Sequence, residues 1–124
     1  MNNESISVIK VRDILMVTMP SDPDDSTISS LQNKVLTAME RTDAKGVILD
    51  ISTVETLDSF FARTVSETAQ MVALMGGRTI VAGMRPAVAV TATQIGLTLK
   101  NIETSLNVER ALDAATAERP RDPR

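Results

Sequence analysis

The 124-residue sequence predicts an α/β fold: a five-stranded, mostly parallel sheet with an antiparallel edge strand and four main helices. Three observations carry that prediction. Short apolar, β-branched runs recur between longer segments whose apolar residues fall three and four apart. The runs at 47–51 and 79–82 are mostly apolar, as suits strands covered on both faces. Strands that alternate with helices pair in parallel through right-handed crossovers.

The elements are justified in chain order. Residues 6–11 and 14–19 are β-rich runs separated by Arg12 and Asp13, a two-residue polar loop that predicts a hairpin closed by Pro20. Asp24, Asp25 and Ser26 suit a helix cap and first turn. Ile28, Leu31, Val35 and Met39 then form one helical face, and Gly46 fits the boundary after it. The strand at 47–51 leads to a second helix over about 59–75, with Phe61, Val65, Ala69 and Val72 in one stripe and Gly76 and Gly77 as its stop. Phe60 sits about 100° round that helix and is expected to be more exposed than Phe61. After the strand at 79–82, Gly83 to Pro86 form a tight turn with proline at the first position of a third helix. Val88, Ala92 and Ile95 continue that helix, and Gly96 closes it. A last short strand is expected at 97–102. Asn107 caps a fourth helix with Val108, Ala111, Leu112 and Ala115 inward. One domain over 1–118 and a charged, proline-bearing tail over 119–124 complete the organisation.

Composition narrows the function. With 43% hydrophobic residues the chain can bury a core. It has no cysteine and no histidine, which removes disulfides, thiolate chemistry and the commonest general base and metal ligand. A net charge of −3 with interspersed signs gives no basic footprint for nucleic acid, and two adjacent phenylalanines make no stacking platform. No apolar stretch approaches the roughly 20 residues of a membrane span, and the N-terminus lacks a signal-peptide pattern. The expectation is a cytoplasmic protein with no cofactor and no metal. Asp22, Asp24 and Asp25 are acidic residues at a helix start before they are a cation site. No glycine-rich phosphate loop stands at any strand end.

The segment "LDISTVETLDSFFART", residues 49–64, places Asp58 and Ser59 where a strand gives way to a helix. Both residue types cap helices, so either can satisfy the free amides there. A serine at such a start is also a candidate phosphoacceptor, because free N–H groups and the positive end of the helix dipole accommodate a phosphate.

The segments "ILDISTVETLDSFFARTV", "MVALMGGRTIVAGMRPAVAVTATQIGLTL" and "NVERALD" together resemble the STAS domain family, over roughly residues 5–115. Within it, the Asp-Ser-Phe sequence and the Pro-Ala-Val-Ala turn are most similar to the single-domain S subunits of the bacterial stressosome, the RsbS type. That resemblance implies a scaffold and brake without catalysis. It implies co-assembly with R-type subunits, self-association, and sequestration of a serine/threonine switch kinase, the T subunit. It further implies that phosphorylation of Ser59 releases the kinase, which would control the general stress response, and that a phosphatase resets the serine. Asp58, Ser59 and Phe60 would form the partner-binding surface. Thr91 falls near a second acceptor used by R subunits, and S-type chains are not expected to use it. The alternative is a free anti-anti-sigma factor that binds an anti-sigma kinase; Phe60 and Phe61, where those relatives carry a small residue, favour the S type. A third class, a small enzyme or carrier using Asp50, Asp58 and Arg85, lacks support from His, Cys or a phosphate loop.

Overall fold

The computed structural model describes residues 5–96 and 102–117. The elements are β1 (Ser7–Val11), β2 (Ile14–Thr18), α1 (Asp25–Thr42), β3 (Gly46–Asp50), α2 (Ser59–Leu74), β4 (Arg78–Ala82), α3 (Pro86–Gln94), β5 (Ile102–Ser105) and α4 (Val108–Thr116). The strands lie in chain order, β1-β2-β3-β4-β5, with β1 antiparallel to β2 and the other three pairs parallel. This is the sheet the sequence predicts.

Strand alternation sends side chains to two different covers. Leu15, Val17, Val47, Leu49 and Val81 join one cluster with Leu31 and Val35 of α1, Phe61 and Val72 of α2, and Val88 of α3. Ile14, Ile48, Ile80 and Ala82 join a second cluster with Ala111 of α4. Three helices therefore cover one face and α4 covers part of the other. The predicted stripes hold: Ile28, Leu31, Val35 and Met39 of α1 and Phe61, Val65, Ala69 and Val72 of α2 are all buried. Arg78 clasps the second layer. Its Nε and Nη2 donate to the two carboxylate oxygens of Glu103 at 2.9 and 2.6 Å, and its Nη1 to the Ala114 carbonyl at 3.2 Å. The Glu103 hydrogen bonds hold the guanidinium pKa above its ordinary value, against the burial that opposes it.

The hairpin turn is the expected two residues, Arg12 and Asp13, both left-handed at φ 52° and 65°. Asp24 caps α1 and Asp25 and Ser26 open its first turn, as the sequence suggests. Three sequence expectations are corrected around α1, α3 and the last strand. Helix α1 ends not at a glycine but at Asp43, left-handed at φ 55°, whose amide donates to the Met39 carbonyl at 2.9 Å. An aspartate tolerates that conformation, so Gly46 is free to open β3. A Cβ there would come within 3.1 Å of the Arg78 carbonyl oxygen, so this glycine serves close strand packing. Ile95 is the C-cap residue of α3 and is exposed, one step past the buried Val88 and Ala92. The last strand is Ile102–Ser105, in register with Thr79–Ala82, while residues 97–101 lie outside the described residues. β5 buries only Ile102 fully and carries exposed Glu103 and Thr104, so its own sequence carries little strand pattern. The tail expected at 119–124 also lies outside the described residues.

Candidate functional site

The C-terminal ends of the parallel strands carry the loops that launch α1, α2 and α3. The loop from 51 to 58 is firmly anchored. Ile51, Val54 and Leu57 insert into the core. The Ile51 amide donates to the Ala82 carbonyl at 3.0 Å, and the Thr53 hydroxyl reaches the Met19 carbonyl at 3.4 Å. Asp50 Oδ1 accepts the Ser52 amide at 2.9 Å, and Arg85 Nε donates to the Ser52 carbonyl at 2.9 Å. Gly83 packs against the same serine. At φ +79°, its missing Cβ would stand 2.8 Å from the Ser52 Cβ, which excludes any side chain. The loop is thus tied to β2, to β4 and to the start of α3.

Asp58 closes this loop in an extended conformation, φ −106°, and caps α2: its Oδ1 accepts the Phe61 amide at 2.8 Å. Ser59 is therefore the first helical residue and not the cap. It is exposed, and its hydroxyl makes no hydrogen bond among the described residues. Phe60 is half-buried and packs on the rim of the core, whereas Phe61 is 2% exposed at its centre, as the helical register predicts. No acidic residue stands in the first turn of α2.

Beside Ser59 runs an open groove of about 380 Å³ that Arg63, Ser66, Glu67, Gln70 and Ile95 help to line. Arg63 was not singled out from the sequence. The usable signal was its position, four residues beyond Ser59 on a helix.

The enzyme-like trio separates into backbone supports. Asp50 and Asp58 each accept a main-chain amide, and Arg85 donates to a main-chain carbonyl. Thr91 is half-buried and its hydroxyl bonds back to the Ala87 carbonyl at 3.1 Å, within its own helix. Asp24 serves as the cap of α1, and no cluster of three or more potential metal-ligating side chains occurs among the described residues. Among those residues, too, no helix is long and apolar enough to cross a membrane.

A five-stranded sheet with one antiparallel edge, three helices on one face and a fourth on the other is the architecture of a STAS domain. The STAS domain model matches residues 5–115, and the chain belongs to that family. Among solved structures it is similar to the RsbS protein of Moorella thermoacetica in a serine-to-glutamate variant, with 30% identity and a TM-score of 0.78 over 89% of this chain and 93% of that one. It is also similar to a chain in the structure describing the molecular architecture of the stressosome, with 28% identity and a TM-score of 0.72 over 88% of this chain and 95% of that one. Among curated proteins it is 26% identical over 98 residues to the RsbT co-antagonist protein RsbRB of Bacillus subtilis (strain 168). That match covers 79% of this chain but 35% of the relative, so the chain spans about a third of that longer protein.

Proposed function

We propose that this chain is an S-type stressosome scaffold, a non-catalytic antagonist that holds a serine/threonine switch kinase until Ser59 is phosphorylated. The observation that carries the proposal is the division of labour at the start of α2. Asp58 supplies the cap, so the Ser59 hydroxyl is left exposed on a rigid helix start. A phosphate added there meets the positive end of a helix dipole, so the fold absorbs the charge and only the surface changes. Asp58, Ser59 and Phe60 form the kinase-facing surface, with Phe60 contributing its exposed rim. A phosphatase returns the serine to its starting state.

The similarity to RsbS and to a stressosome chain supports assembly with R-type subunits and with further copies of itself in the cytoplasm. The end of α2 adds apolar surface suited to contacts: Leu74 is 88% exposed, beside Met71 and Met75. The STAS domain is assigned to residues 1–118, with 119–124 as a tail.

The test is phosphopeptide mapping after incubation with the cognate kinase and ATP. Phosphate on Ser59 is the expected result, and kinase-dependent phosphate elsewhere with Ser59 untouched would overturn the assignment. Sedimentation with an R-type subunit addresses the scaffold role: a very large particle is expected, and a small heterodimer would point instead to a free anti-anti-sigma factor.

A further inference from the structure

We propose that Arg63 is the charge partner of the modified Ser59: once position 59 carries a phosphate, the Arg63 guanidinium folds back one turn and pairs with it across the mouth of the groove. This rests on the assignment of Ser59 as the phosphoacceptor.

Ser59 and Arg63 lie four residues apart on the same helix and line the same open groove. Side chains at that spacing are neighbours on a helix surface, with Cβ atoms about 5–6 Å apart. Direction matters for such pairs. An anion placed N-terminal to its cation is favoured over the reverse. Arg63 has an acidic neighbour at the same spacing, Glu67, but on the unfavourable C-terminal side. Glu67 instead accepts a hydrogen bond from Gln32 Nε2 of α1, at 3.3 Å. Arg63 is exposed and makes no ion pair or hydrogen bond among the described residues. The favourable N-terminal side is occupied by a neutral hydroxyl that a single modification turns into an anion. A guanidinium also presents paired N–H donors that match phosphate oxygens.

The modification then changes the surface twice. It adds negative charge at the helix start, and it withdraws a free cation from the groove. A partner that used Arg63 in the unmodified state loses that contact as it meets the new charge.

The experiment uses the full chain with phosphoserine installed at position 59 during translation, so that no kinase is needed. Phosphorus NMR tracks the second ionisation of the phosphate, ordinarily near pH 6. With Arg63 present, that ionisation is expected at a pH lower by about 0.3 of a unit or more than in Arg63→Gln, because a neighbouring cation favours the dianion. Arg63→Lys is expected to fall between the two. The difference should shrink at high salt, as an exposed pair is screened. Unmodified Arg63→Gln should melt with the parent chain. The same ionisation in Arg63 and Arg63→Gln chains would overturn the proposal, as would a stability loss confined to the unmodified variant. Failure of this titration leaves Ser59 in place as the acceptor, whereas kinase-dependent phosphate mapped elsewhere removes the premise itself.

Discussion

Helices α1 and α2 start at the same edge of the sheet, after the adjacent parallel strands β2 and β3. Their caps are near copies. Asp24 Oδ1 accepts the Thr27 amide and Asp58 Oδ1 accepts the Phe61 amide, each at 2.8 Å and each three residues on. The difference lies in the first helical residue after the cap. α1 opens with Asp25, a carboxylate already set against the dipole, and α2 opens with Ser59 and no acid in its first turn. The residue whose amide closes the cap differs as well: Thr27 is half-buried, while Phe61 lies in the centre of the core. Cap chemistry alone therefore marks no functional site. What separates α2 is a first turn that carries no acid, on a start fixed by core packing.

The strongest way to break this comparison is to loosen the anchor. Phe61→Ala should destabilise the chain by about 3–5 kcal/mol, as the loss of a fully buried aromatic does. Thr27→Ala should cost far less in the same denaturant titration, because its side chain is only half-buried. Equal losses would mean that the two starts are anchored alike. Asp58→Ala comes next: removal of the cap should cost about 0.5–2 kcal/mol and fray the first turn of α2, visible as faster hydrogen exchange at the Phe61 amide.

The sheet, its order and both long helical stripes were legible because burial imposes the periods of strand and helix directly on the sequence. Val35 and Val72 could face only the core. What failed were choices that burial does not settle. Asp43 replaced Gly46 at the end of α1 because both residue types tolerate a left-handed backbone, and the close approach of β3 to Arg78 claimed the glycine. β5 was met only at its first residue, Ile102, because an edge strand with one fully buried residue carries little pattern. At the candidate site, residue types made Asp58 and Ser59 visible together, but only backbone conformation shows which of them caps. Arg85 stood out as a cation at a strand tip. Its bond to the Ser52 carbonyl depends on the meeting of two loops 33 residues apart in sequence, which no local spacing encodes.

Ser59→Asp sharpens the comparison further, since it gives α2 the same acidic first residue that α1 has. It should stabilise the chain by about 0.3–1 kcal/mol through the helix dipole, while weakening kinase retention by the charge it places in the interface. Ser59→Ala should change stability by no more than about 0.5 kcal/mol, because the hydroxyl is neither buried nor the cap. It should also abolish kinase-dependent phosphate and leave the kinase bound. A larger stability loss in thermal melts would mean that the hydroxyl does structural work the geometry does not assign to it.

The smallest effect concerns the other cap. The Thr27 backbone amide, followed by its side chain, holds the Asp24 carboxyl below the ordinary carboxylate range, against a slight opposing desolvation. A group whose pKa is depressed on folding contributes stability that is fully present above its unfolded pKa, about 3.9 for an aspartate, and is lost as pH falls through the folded value. The contribution of the Asp24 cap should therefore be constant from neutrality down to that range and disappear only in stronger acid. Because the carboxylate stands in open solvent, salt should weaken even this. NMR titration of the Thr27 amide reads the event at its source, with an expected midpoint below the ordinary aspartate value. Asp24→Asn keeps an oxygen acceptor for the amide but removes the titration, so its Thr27 amide should stay flat over the same range. A parent midpoint at or above the ordinary value would show that the amide does not favour the charged carboxylate, and that the two caps differ in substance despite their matching distances.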